Sequence, residues 1–97
     1  MLILCTVYDN DVTAMETGTL ESLRAELVRS AVVCVEDYGE ALTIKEKERL
    51  YAAVEGDGTF SVSNARISIF ASDNYVSVNT DEEQNTFEIN MLEVEAE

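Results

Sequence analysis

The sequence predicts an α+β domain in which one antiparallel sheet packs on two helices, with elements in the order β-α-α-β-β-β-β. Three observations predict it. Aliphatic residues crowd positions 2–8. Apolar residues then recur at steps of three and four through the first half, the spacing of a helix face. Beyond Gly58 the period drops to two between short turn signals, the spacing of strands. The 97 residues are enough for one modest core, since a chain of this size buries only about 60–65% of its unfolded surface. The expected organisation is therefore a single domain over 1–97. A hydrophobic fraction of 46% sets it apart from disordered acidic chains.

Residues 2–8 read as a central strand, because both faces are apolar. They run straight into Asp9 and Asp11 without a basic flank, so they do not read as a signal peptide. Asp9-Asn10-Asp11 reads as a turn or loop, and the next element as a helix. Its face is Leu20, Leu23, Leu27, Ala31, Cys34 and Tyr38, its cap Thr17 or Thr19, and its end Gly39. Glu21 complements the helix N-terminus. The β-branched run Val32-Val33-Cys34-Val35 also admits a strand after a shorter helix. Thr43-Ile44-Lys45-Glu46 has the spacing of a capping box. It opens a second helix with Leu50, Tyr51 and Val54 inward, stopped at Glu55-Gly56-Asp57-Gly58. Short strands follow on Phe60 and Val62, on Ile67, Ile69 and Ala71, and on Val76 and Val78, with turns at Ser63-Asn64 and Asp73-Asn74. A loop over Asp81-Glu82-Glu83-Gln84-Asn85 leads to the last strand. There Phe87, Ile89 and Met91 share a face while Leu92, Val94 and Ala96 have opposite parity, which predicts a bulge near Met91–Leu92.

Little in the chain points to catalysis. There is no histidine, so the commonest general base and the Ser-His and Cys-His arrangements are missing. Cys5 and Cys34 lie in apolar contexts and read as small buried hydrophobes of a reducing compartment rather than a disulfide. Asp9-Asn10-Asp11-Val12-Thr13 opens like a calcium loop, but Ala14 stands where glycine is needed and Leu20 where the bidentate glutamate belongs. No metal, cofactor or catalytic residue is expected, no stretch approaches a membrane span, and the expected location is the cytosol.

Charge is the outlier. Twenty acids face six bases, a net charge of −14. Residues 1–23 hold four acids and no base, residues 24–66 eight acids and all six bases, and residues 67–97 eight acids and no base. Ordinary surfaces mix the two signs. Glu93, Glu95 and Glu97 alternate, so on a strand they project from one face about 6.6 Å apart, a spacing like that of successive phosphates. With Asp73, Asp81, Glu82, Glu83 and Glu88 they are expected to form a continuous negative band that binds a basic protein surface and not nucleic acid itself.

A histidine-free acidic chain with an Asp/Glu-rich last third, from Asp81-Glu82-Glu83 to Glu93-Val94-Glu95-Ala96-Glu97, resembles anti-defence proteins of phages and mobile elements. These are the acidic anti-CRISPR proteins and the antirestriction DNA mimics, and the resemblance is one of overall character. It implies a non-catalytic inhibitor that blocks the nucleic-acid-binding surface of a CRISPR effector or restriction nuclease in the host cytosol. Two other readings stand beside it. One is an immunity- or antitoxin-type protein that adds exposed Tyr51, Tyr75 or Phe70 as anchors against a basic toxin. The other is a small phage or plasmid structural or regulatory subunit built around a dimer interface.

Overall fold

In the computed structural model, which describes residues 1–91, the chain opens with a hairpin. Strand β1 (Leu2–Tyr8) turns through Asp9 and Asn10 into β2 (Asp11–Gly18). The turn needs positive φ at both central residues, 45° at Asp9 and 72° at Asn10, and Asp and Asn tolerate that region better than other side chains. The expected order therefore gains a strand and becomes β-β-α-α-β-β-β-β. Two features hid β2. All eight of its residues are exposed, so no buried face imposes alternation. A register shift then leaves Thr13 as an extra residue between the pairs Thr6–Ala14 and Val7–Val12, which breaks what alternation there is.

Helix α1 spans Leu20–Asp37, with Thr19 as its cap accepting a hydrogen bond from the Ser22 amide. Residues 31–35 are helical, because Ala31 and Val35 continue the buried row begun by Leu23 and Leu27. Burial along one face outweighs the weak strand preference of the valines. Gly39, at φ 78°, ends the helix, with the Glu40 amide donating to Val35 and the Gly39 amide to Glu36. Helix α2 (Ile44–Val54) starts at the complete capping box of Thr43 and Glu46.

Four more strands follow: β3 (Phe60–Ser63), β4 (Ile67–Ser72), β5 (Tyr75–Thr80) and β6 (Gln84–Met91). They join the first two in one antiparallel sheet of order β2-β1-β6-β5-β4-β3. Strand β6 begins at Gln84, so the preceding loop is only residues 81–83. Asn85, Phe87 and Ile89 are its buried row, and Met91 is 66% exposed. The bulge expected near Met91–Leu92 lies at the limit of the described residues, with Leu92, Val94 and Ala96 outside them.

Both helices cover one face of the sheet. Leu23, Leu27 and Val35 of α1 and Leu50 and Val54 of α2 meet Phe60, Ile69, Val76, Val78 and Phe87 in a continuous core. The β4–β5 turn ties these layers together through one residue, by its side chain and its backbone amide. Asn74 accepts a 2.9 Å hydrogen bond from Arg24 Nε of α1, and its own amide donates to the last α2 carbonyl, Val54, at 2.9 Å. The opposite face carries mostly small polar residues, with Phe70 and Tyr75 as a tilted pair, ring centroids 6.5 Å apart. Both cysteines are free and half-buried rather than fully buried.

Candidate partner-binding site

Antiparallel order decides which turns share an end of the molecule. Because Tyr8 pairs with Asn85, the β1–β2 turn lies beside the β5–β6 turn, although some seventy residues separate them in sequence. The two turns are bonded together. The Asp9 amide donates to the Gln84 carbonyl at 2.9 Å, and the Gln84 amide donates to Asp9 Oδ1 at 3.0 Å. Tyr8 Oη donates to Glu83 Oε1 at 2.5 Å. Within the loop, Thr80 Oγ1 accepts from the amides of Glu82 and Glu83 at 3.3 and 2.9 Å. Asp81, Glu82 and Glu83 are thus presented on a braced loop, which lowers the ordering cost of binding.

The C-terminus of α1 reaches the same end, with Asp37 and Tyr38 beside Glu83 and Tyr8 along one groove. Glu36 and Asp37 occupy the last turn of α1, which holds no basic residue. A helix C-terminus already carries partial negative charge, so two acids there are placed against the macrodipole. The local field is visible in two groups. The hydrogen bond to Glu83, with the charges of Glu83, Asp9 and Glu82 around it, pushes the Tyr8 phenol up to about 12. Burial, reinforced by Asp37 and Glu83, pushes the Cys34 thiol up to about 11.

The expected band is not continuous. Asp81, Glu82 and Glu83 come together, but Asp73 lies in the β4–β5 turn at the opposite end of the sheet. The six-residue length of β5 separates them, roughly 20 Å at about 3.4 Å per residue. Asp73 also faces a cation that its sequence neighbourhood lacks, Arg24, 3.7 Å away. Glu88 stands mid-strand on the open face, opposite Tyr75 and Cys5. Glu93, Glu95 and Glu97 lie outside the described residues. In place of the band, the fold adds Asp9, Asp11 and Asp37 to the loop acids. The hairpin sets Asp11 beside Tyr8, and the pairing of β1 with β6, which has no local signal, brings both turn acids to the start of β6.

The cations are on other elements. No strand contains a lysine or arginine among the described residues. Arg24 and Arg29 are on α1, while Lys45, Lys47 and Arg49 are on α2, which packs over β4 and β3, the flank of the sheet remote from β1 and β2. Arg66, on the β3–β4 turn, is the exception: it is 3.8 Å from Glu40 and lines a pocket with Tyr38, Asp81 and Glu82, so one cation stands at the flank of the acidic end. Of the candidate anchors, Phe70 is 42% exposed, and Tyr51 and Tyr75 are half-buried. Among the described residues no cluster of acids, cysteines and histidines is arranged to hold a metal ion, and no helix is long and apolar enough to cross a membrane. No protein-family model matches the chain, and comparison with curated proteins and with solved structures gives no match.

Proposed function

We propose that this protein is a stoichiometric inhibitor that covers a basic, nucleic-acid-binding surface of a host defence complex with its acidic end. The observation that carries the reading is the bonded pair of turns. Asp9, Asp11, Asp81, Glu82 and Glu83 are gathered there beside Asp37 and the negative end of α1. Carboxylates held on a braced scaffold act on a basic groove in two ways: they steer encounter through the field, and they pair with the arginines and lysines that would hold phosphates.

A second reading draws on the open face. Phe70 and Tyr75 with neighbouring Glu88 would suit the aromatic anchor of an immunity-type complex with a basic toxin.

Charge reversal separates the two. D9K/D81K/E82K should abolish competition between this protein and DNA or RNA for the partner, while D73K, at the other end, should leave it within about twofold. F70S should be equally harmless. Loss of inhibition in F70S with full inhibition in the triple variant would favour the second reading and discard the first.

A further inference from the structure

A groove of about 300 Å³ runs between the C-terminal half of α1 and the β1–β6 pair, opening at the acidic end. Its walls are apolar and aromatic, formed by Val33, Cys34, Phe87 and the rings of Tyr8 and Tyr38. Its rim carries the carboxylates of Asp37 and Glu83, and no lysine or arginine lines it. Thr6, Ser30 and Asn85 complete its lining, with the Ser30 side chain also hydrogen-bonded to Glu26.

Asn85 is the unusual member. It is only 8% exposed, on the buried row of β6 between Tyr8 and Val78. Its carboxamide nevertheless makes no hydrogen bond to any described residue, and its polar atoms keep access to the groove. Its polar atoms are therefore left to water or to a ligand in the groove, on a residue that is otherwise enclosed.

We infer that this groove receives an arginine side chain of the basic partner, its guanidinium reaching the Asn85 carboxamide between the carboxylates of Asp37 and Glu83. The inference deepens the reading of the acidic end as the partner surface and rests on it. Two features of the groove select a guanidinium over an ammonium. A planar, weakly hydrated cation stacks on aromatic walls, whereas an ammonium keeps its water. A planar fork of donors can serve an amide oxygen and the carboxylates on either side of it together, which three donors on one nitrogen do less well.

The test is a heteronuclear NMR titration of the full chain with N-acetyl-arginine methylamide, its lysine counterpart and its citrulline counterpart. The blocked arginine should shift the Asn85 side-chain amide and the backbone amides of Val33 and Asp37, saturably. The lysine compound should bind at least fivefold more weakly, and the citrulline compound should leave these signals unmoved. D37N/E83Q, changed only at the rim, should weaken the arginine compound at least tenfold. An unshifted Asn85 amide, equal binding of citrulline, or unchanged binding in D37N/E83Q would overturn the assignment. A longer arginine-rich peptide separates the two levels of the claim. If it binds at Asp9, Asp81 and Glu82 but leaves Asn85 unmoved, the groove is rejected and the acidic surface stands; if it binds nowhere, both fall.

Discussion

Tyr8 and Glu83 are the pair through which the acidic end can be interrogated one residue at a time. The phenol donates to a carboxylate that would otherwise face other carboxylates, so the fold favours its neutral form over an ordinary value of 10.0 and holds it to about 12. A group whose folded pKa is raised contributes stability that is complete below its unfolded pKa and lost as pH climbs through the folded one. The contribution of this contact should therefore persist to about pH 10 and vanish by about pH 12. Absorbance titration should show a late-ionising tyrosine that disappears in Y8F and moves back toward 10.0 in E83Q. Asn74 does comparable work at the other end. It holds the positive-φ position of its turn at 55°, accepts from Arg24 and donates to the end of α2. Replacement by glycine keeps the backbone conformation but deletes the charge-assisted bond, worth roughly 1.5–3 kcal/mol, so N74G should lose about that much in urea unfolding. N74A should lose more, because alanine also disfavours the turn.

At the scale of elements, what was legible followed from buried periodicity and cap chemistry. The rows Leu23-Leu27-Ala31 and Ile67-Ile69-Ala71, the Thr43–Glu46 box and the Asp73-Asn74 turn are local signals, and the fold uses each as its spacing indicates. Strand β2 was not legible because it buries none of its residues and owes its place to pairing with β1. The candidate site was scattered for a second reason. Asp9 meets Glu83 through the pairing of β1 with β6, a long-range contact that no local signal announces, and β5 carries Asp73 and Asp81 to opposite ends. The last turn of α1 shows a conflict between stability and charge. Glu36 and Asp37 oppose the helix dipole where a cation would help by about 0.3–1 kcal/mol. D37K should therefore raise the unfolding midpoint slightly while weakening partner binding several-fold. A variant that loses stability, or that binds as before, would show that these acids are not held there for recognition.

For the molecule as a whole, a net charge of −14 on 97 residues costs stability through self-repulsion, and its arrangement suggests why it is retained. Five of the six cations stay on the two helices, the strands carry none among the described residues, and only Arg66 of the β3–β4 turn stands beside the acidic loop. A chain that used acid only for solubility would have no reason to lock two acidic turns together or to open a groove lined by Asn85 beside them. The most direct test is an amide shift map recorded with an octa-arginine peptide at rising ionic strength. The account predicts shifts confined to residues 8–11, 33–38 and 80–85, fading steeply with salt as exposed charges are screened. Shifts spread evenly over the helices and strands, or centred on Phe70 and Tyr75 and indifferent to salt, would contradict it.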